Sequence, residues 1–265
     1  MNDRQRTVVD AFTAACNADP RVIAAFLGGS YATGTADEHS DLDLYLVTSD
    51  ASYGAFFGDR LAFLALLGRA VLAEDFNEFG FDMVVFILED GVEGELSLGK
   101  AAAFLHIHGG PYRVLLDKVG VLNGAVFPLV SPSPAEQLET VRKHIHWFWR
   151  ELSLFGVAIA RERHWSAHAY LEAARRRCFD LLRINADFER WAAGYEKVES
   201  VVPRELLDPW SKTAPPFSLP QMSFAAEALI DLYRPLARDM CQRHGMAYPR
   251  GLDIVVSARL RRTSK

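Results

Sequence analysis

The sequence has few cysteines, no long apolar run and no excess of basic charge. Its 265 residues include only Cys16, Cys178 and Cys241, which lie far apart and form no Cys-x-x-Cys pair. This spacing argues against a zinc site or a redox pair, so we predict buried thiols. No apolar run approaches the ~20 residues that span a bilayer, and the N-terminus lacks the apolar core of a signal peptide. We therefore predict a cytoplasmic protein that does not bind a membrane.

The charge balance argues against a broad nucleic-acid surface. The chain has 29 Lys and Arg against 34 Asp and Glu, which gives a net charge of −5. Such a chain has no global field that attracts a polynucleotide, so we expect no nucleic-acid partner. The basic clusters at residues 175–177 and 259–262 are short, and we interpret them as a solvated helix face and a charged tail.

A glycine-rich segment ends an apolar run near the N-terminus. Residues 22–27 form a predicted buried strand. Gly-Gly-Ser at residues 28–30 then ends it at a point where backbone N–H groups could face an anion. The glycine spacing also matches a P-loop, but the lysine that a P-loop requires is absent. We therefore predict a phosphate-binding turn at Gly29 and Ser30 that is not a P-loop.

Two aspartates follow in a segment of alternating character. In residues 41–47, Asp41 and Asp43 should project from one face of a strand while Leu42 and Leu44 enter the core. Two convergent carboxylates suit a hard divalent cation, and Mg²⁺ shared with substrate phosphates fits them best. The segment thus predicts a metal site beside the phosphate-binding turn.

The two segments together resemble the DNA polymerase β-like nucleotidyltransferase superfamily. The signature of that superfamily is a Gly-Gly/Ser turn, a spacer of about this length, and Asp-h-Asp/Glu-h, where h is apolar. The matching residues are Gly29, Ser30, Asp41 and Asp43. The resemblance implies a third metal-binding carboxylate on a later strand, one or two Mg²⁺ ions, and a nucleoside triphosphate as co-substrate, with ATP the expected one.

The third carboxylate is expected in a downstream β-hairpin. Residues 84–88 and 92–98 form its predicted arms, and Glu-Asp-Gly at residues 89–91 forms its turn. Glu93 and Glu95 would share one face by the two-residue period, so geometry leaves both open. The register of the similar antibiotic nucleotidyltransferases favours Glu95 as metal ligand and catalytic proton acceptor. The alternative is that both glutamates are charges on an exposed edge strand.

A proline-rich stretch at residues 127–134 marks the predicted domain boundary. It divides the chain into residues 1–130 and residues 131–265. We predict an α+β fold in which an N-terminal nucleotidyltransferase catalytic domain, a mixed β-sheet flanked by helices, precedes a C-terminal helical bundle. The bundle is the predicted substrate-binding and dimerisation domain.

Helical periodicity begins directly after the boundary. Ser133 and Glu136 have the spacing of a capping box. Further helices are predicted at residues 166–188 and 221–244. A stripe of apolar residues at intervals of three and four predicts that the first helix is long and amphipathic: Leu138, Val141, Ile145, Phe148, Leu152, Phe155 and Ile159.

Amphipathic aromatic residues lie on both sides of the boundary. His108, Tyr112, Trp147 and Tyr170 are candidates to line an acceptor cleft between the domains, because such clefts favour these side chains. For each of them taken alone, packing in a core is the alternative. The two His-x-His pairs do not indicate zinc, since no third ligand completes a site.

A further resemblance concerns the substrate. Segments within residues 19–118 are similar to the lincosamide nucleotidyltransferases, and the related aminoglycoside adenylyltransferases share the metal motif. This resemblance implies transfer of a nucleoside monophosphate, AMP foremost, to a hydroxyl of a small antibiotic, release of pyrophosphate, and a homodimer. The other hypothesis is a protein that modifies or binds a protein partner, as minimal nucleotidyltransferase antitoxins do. The large helical half favours the enzyme, because an antitoxin-like chain would usually be the N-terminal domain alone.

Overall fold

The computed structural model describes residues 2–128, 132–186, 188 and 194–263. The chain divides into two units, Met1–Val130 and Ser131–Lys265. Within the described ranges, no helix combines the length and the apolar character needed to cross a membrane.

The first unit is built on a six-stranded mixed sheet with the order β3-β4-β5-β2-β1-β6. Strands β2 and β5 are parallel, and the other neighbouring pairs are antiparallel. The predicted mixed sheet with flanking helices is confirmed. The elements in chain order are α1 (Asp3–Ala18), β1 (Val22–Leu27), α2 (Gly29–Thr33), β2 (Leu42–Thr48), α3 (Tyr53–Leu64), β3 (Ala70–Phe76), β4 (Asp82–Leu88), β5 (Glu93–Lys100) and β6 (Arg113–Asp117).

The two faces of the sheet are covered by different elements. Leu42, Leu44 and Leu46 of β2 are fully buried and pack in the core that α1 and α3 share with the sheet. Val47, from the alternate positions of β2, packs in a second core with residues of the 104–127 segment. By the strand alternation, Asp43 faces the same side as Val47. The predicted burial of Leu42 and Leu44 is therefore confirmed.

The predicted hairpin is present, and it lies inside the sheet. Strands β4 and β5 pair antiparallel across a turn in which Gly91 has a φ of 84°. Strand β5 lies between β4 and β2, so the alternative of an exposed edge strand is wrong. Its first residue, Glu93, is exposed, whereas Glu95 is half-buried.

The second unit is helical, as predicted. Ser133 and Glu136 form the predicted capping box, and every member of the apolar stripe except Leu138 is buried. The basic segment at residues 259–262 belongs to a helix, so its interpretation as a charged tail is wrong. The α-helices are α4 (Pro134–Ala160), α5 (His164–Ala186), α6 (Arg204–Leu207), α7 (Leu219–Arg243) and α8 (Arg250–Thr263).

The core of the second unit also explains two of the cysteines. Helix α4 packs against α5, α7 and α8. Cys178 and Cys241 lie among the apolar side chains of this core, and Cys16 lies in a core of the first unit. All three are buried free thiols, as predicted.

Candidate active site

The glycine-rich turn and the aspartate strand are in direct contact. Strands β1 and β2 pair up to Leu27 and Leu44, and the next backbone bond runs from the Gly28 N–H to the Asp43 carbonyl at 3.0 Å. Gly29 has a φ of +54°, and a Cβ at this position would lie 1.8 Å from Asp43 Oδ2. The Asp43 carboxylate therefore occupies space that only a glycine leaves open.

The predicted turn continues into the short helix α2, which Gly34 ends in the left-handed conformation. Ser30 lies in this helix. Its Oγ is shielded from solvent and has no hydrogen-bond partner among the residues that the structure describes. A buried hydroxyl without a partner is unfavourable, so this group is available to bind a polar ligand. Rotation about χ1 would allow this hydroxyl to donate to a phosphate oxygen.

Asp43 and Glu95 are brought together by the parallel pairing of β2 with β5. Their Cα atoms are partners in the register, so the two side chains leave the sheet on one face from strands about 4.8 Å apart. Both residues are half-buried. Glu93 lies two residues before Glu95 on the same strand and is exposed. The register thus favours Glu95 as the partner of Asp43.

Asp41 lies just outside β2 and is exposed. The Tyr45 side chain is half-buried. Burial raises the pKa of its hydroxyl most, and the charges of Asp43, Glu95 and Asp41 raise this pKa further, so all three predicted carboxylates lie within electrostatic range of it. Asp41 also lines a cavity of about 330 Å³ beside Glu93.

The donor set is suitable for Mg²⁺ that arrives with a substrate. Within the described part of the chain, no group of three or more His, Cys, Asp or Glu side chains is arranged to hold a metal ion. Mg²⁺ is commonly bound by one or two carboxylates together with substrate phosphates and waters, in preference to an all-protein cage. Asp43, with Asp41 and Glu95 near it, supplies the hard oxygen ligands that this ion requires.

An aromatic cluster packs against the glycine-rich turn. The Tyr45 ring stacks on Phe26 with centroids 4.7 Å apart, and the His108 ring lies 4.8 Å from Tyr45. A Cβ on Gly28 would lie 2.7 Å from Tyr45 Cε2 and 2.9 Å from His108 Cε1. These rings therefore pack directly against the glycine-rich turn and hold it in place.

This support is a part of the site that the sequence did not predict. His108 and Tyr112 were candidates for an acceptor cleft, and the structure places both in the aromatic cluster with Phe26 and Phe127. Burial lowers the pKa of His108, and its Nε2 lies 2.8 Å from the Pro111 carbonyl. The sequence signal that could have indicated this cluster is the two-residue alternation of β2, which puts Tyr45 on the same face of the sheet as Asp43.

Together, these features place a glycine-rich turn directly against a carboxylate-bearing strand of a mixed sheet, the arrangement expected of a domain that binds nucleotides. The family described as nucleotidyltransferase domain matches residues 10–90 of the chain. This match confirms, over residues 10–90, the resemblance that the motifs indicated. The matched segment contains Gly29, Ser30, Asp41 and Asp43 and ends before Glu95.

The remaining comparisons are weaker. No curated protein is significantly similar to the chain in sequence. The crystal structure of an aminoglycoside 6-adenyltransferase from Bacillus subtilis is 16% identical, covers 98% of both chains and has a TM-score of 0.43. A nucleotidyltransferase-like protein from Exiguobacterium sibiricum 255-15 is 12% identical, covers 88% of this chain and 75% of that chain, and has a TM-score of 0.33. Likeness at this level carries no argument about activity.

Proposed function

We propose that the protein is a Mg²⁺-dependent nucleotidyltransferase that moves a nucleoside monophosphate from a nucleoside triphosphate, ATP first, to a hydroxyl of a small antibiotic. Pyrophosphate is the second product. The observation that supports this proposal is the contact of the Asp43 carboxylate with Gly29, which puts a carboxylate suited to a metal ion beside the glycine-rich turn. The in-register pairing of Asp43 with Glu95 adds the third carboxylate.

The turn and its serine hold the phosphates in this reaction. The Ser30 hydroxyl lacks a partner among the described residues and would donate to a β- or γ-phosphate oxygen. The backbone N–H of Gly29 would donate to another of these phosphate oxygens, beside the Asp43 carboxylate. These contacts fix the α-phosphorus relative to the carboxylates, and such positioning supplies much of the acceleration in phosphoryl chemistry.

The carboxylates divide the remaining work. Asp41 and Asp43 would hold the metal ion, and Glu95 would accept the proton of the acceptor hydroxyl or hold a second ion. When bound, Mg²⁺ stabilises the negative charge that develops on the phosphate oxygens. The hydroxyl oxygen forms the new bond to the α-phosphorus, and the bond to the bridging oxygen of pyrophosphate breaks.

The charge around Asp41 favours a cationic acceptor. Glu38, Asp90 and Glu93 line the same cavity, and the basic lining groups are Arg4 and His39. An acidic surface attracts positively charged partners and repels anionic ones. This excess of carboxylates supports an aminoglycoside over the less charged lincosamides, within the acceptor classes that the sequence resemblance suggests.

An acceptor screen tests the proposal. The full chain is incubated with Mg²⁺, ATP or GTP, and a panel of aminoglycosides and lincosamides, and products are identified by mass. We expect one acceptor to gain the mass of one nucleoside monophosphate while pyrophosphate is released. The control is the double variant Asp41→Asn/Asp43→Asn, whose circular dichroism should match that of the wild type while its turnover is lost.

The outcomes separate the hypotheses. A double variant that keeps its turnover would refute the metal assignment. A wild type that modifies no drug, but transfers labelled nucleotide to a protein in a cell extract, would replace the antibiotic acceptor with a protein one. A wild type that releases no pyrophosphate with any acceptor would contradict nucleotidyl transfer itself.

A further inference from the structure

The first turn of α1 contacts both segments that lead into the acidic strands. Arg4 Nη1 donates a hydrogen bond of 2.8 Å to the Asp90 carbonyl in the turn before β5. Gln5 Nε2 donates a bond of 2.8 Å to the Ser40 carbonyl, just before Asp41. One helical turn therefore fastens the start of the aspartate segment and the start of the glutamate strand.

Gln5 is held in a single orientation. It is 3% exposed, and its Oε1 accepts a bond of 2.8 Å from the Asn2 N–H. Its own N–H donates to Asn2 Oδ1 at 2.9 Å, so the two residues form a capping box at the start of α1. A buried amide requires partners for both its ends, and Gln5 has them. Its Nε2 is thus aimed at the Ser40 carbonyl by the helix cap.

The Ser40 carbonyl belongs to the peptide group that joins Ser40 to Asp41. The pairing of β2 with β5 begins at Leu42, the residue after Asp41, so Asp41 itself is not part of this strand pair. The preceding loop is closed on itself, because the Asp37 N–H donates to Ser40 Oγ and Ser40 Oγ donates to Asp37 Oδ1. Gln5 also approaches the Asp37 carbonyl at 3.5 Å, so it anchors the loop as a unit.

We propose that Gln5 is a positioning residue for Asp41: through the Ser40 carbonyl it fixes the direction in which the Asp41 carboxylate meets the metal ion. This inference rests on the proposed function. Gln5 touches neither nucleotide nor metal. Groups that orient a metal ligand in this way commonly change metal affinity or activity 10- to 100-fold when they are lost.

The test uses two substitutions at one position. Gln5→Glu keeps the length of the side chain and its acceptor role in the capping box, but it loses the N–H donors and turns a carboxylate toward two carbonyl oxygens. Gln5→Met keeps the length without any charge. The matched control is Gln137→Glu, because Gln137 Nε2 donates to the Pro132 carbonyl at 3.0 Å in the first turn of α4, in the other unit.

The proposed site takes its ion together with substrate phosphates, so the measurement is binding of the Mn²⁺ complex of a non-hydrolysable ATP analogue to the full-length protein, by equilibrium dialysis. We expect both Gln5 variants to bind this complex about 10- to 100-fold more weakly than the wild type, and Gln137→Glu to bind like the wild type. In turnover assays, the loss in the Gln5 variants should shrink at saturating Mg²⁺, whereas a general loss of folded protein would lower kcat at every Mg²⁺ concentration.

Each outcome decides the matter. Wild-type affinity for the Mn²⁺ complex in either folded Gln5 variant, or equal weakening in Gln137→Glu, would overturn the positioning role. A wild type that binds the Mn²⁺ complex no better than Asp41→Asn/Asp43→Asn would instead remove the metal site, and with it both this inference and the proposed function.

Discussion

The contact of Gly29 with Asp43 leads to a sharp test, the substitution Gly29→Ala. The added methyl carbon would lie 1.8 Å from Asp43 Oδ2, and Cβ contacts under 3.0 Å essentially do not occur. The carboxylate must therefore move by at least about 1.2 Å, or the turn must move away from it. The φ of +54° adds a cost of about 1–2 kcal/mol for a residue other than glycine.

Gly34→Ala is the matched control. Gly34 ends the same short helix with a φ of +75°, but a Cβ there would meet no atom within 4 Å. Both substitutions therefore carry the backbone cost, and only Gly29→Ala displaces the Asp43 carboxylate. We expect both variants to lose about 1–2 kcal/mol of unfolding free energy, measured by urea denaturation.

Activity should separate the two variants. Moving a catalytic group by about 1 Å from its reactive position can reduce the rate about 100-fold, which corresponds to ~2.7 kcal/mol of activation free energy. We expect Gly29→Ala to lose turnover by about this factor, measured as pyrophosphate release with the acceptor found by the screen, and Gly34→Ala to stay within about threefold of the wild type. Equal activities of the two variants, at equal amounts of folded protein, would refute the argument that Asp43 and the turn form one site.

Two further predictions concern other carboxylates. In a steady-state assay, Glu95→Gln should lower kcat about 100-fold or more, whereas Glu93→Gln should change kcat by less than about fivefold. The reason is that the register pairs Asp43 with Glu95, while Glu93 is exposed. A larger loss of kcat in Glu93→Gln than in Glu95→Gln would reassign the third carboxylate to Glu93. In the helical unit, His144 and Asp180 are both buried, and His144 Nδ1 lies 3.3 Å from Asp180 Oδ2. Burial, and after it nearby positive charges, lowers the pKa of His144 from 6.5 to about 4. Burial raises the pKa of Asp180 from 3.8 to about 6. Between about pH 6.5 and pH 4, His144 is neutral in the folded protein and protonated in the unfolded one, so its contribution to the unfolding free energy is lost as the pH falls. Asp180 opposes this trend, because it takes up a proton at higher pH in the folded protein than in the unfolded one. In urea denaturation, Asp180→Asn should therefore lose more unfolding free energy than the wild type between pH 7 and pH 5, and an unchanged pH dependence would contradict the assignment.

The strands that carry the site could be predicted because their signals are local. The apolar run of β1 is the predicted residues 22–27, and the alternation around Asp43 predicted which leucines enter the core. The hairpin of β4 and β5 was predicted from turn chemistry at residues 89–91. In each case the pattern that forms the element lies within the element itself, so no knowledge of distant residues was needed.

Contacts between distant segments were beyond the reach of these patterns. Periodicity could not show that β5 lies beside β2, so the choice between Glu93 and Glu95 was open on geometry and needed the register of a similar family. The aromatic cluster joins Tyr45 to His108, from the segment after β5, on one face of the sheet, and it likewise left no local signal. The strand order, and not any pattern along the chain, brings Asp43 and Glu95 together.

The structure also explains why the two halves of the motif lie far apart in sequence yet meet in space. The antiparallel pairing of β1 with β2 puts Leu27 opposite Leu44, so the residues that follow β1 meet those that begin β2. The contact of Gly29 with Asp43 is fixed by this pairing and does not depend on the length of the chain between them. Within that spacer, the proposed ligands Ser30 and Asp41 and the Gln5-bound residues 37–40 have to be kept. A changed length should therefore be tolerated only between Gly34 and Asp37, whereas a side chain at Gly29 should not be tolerated.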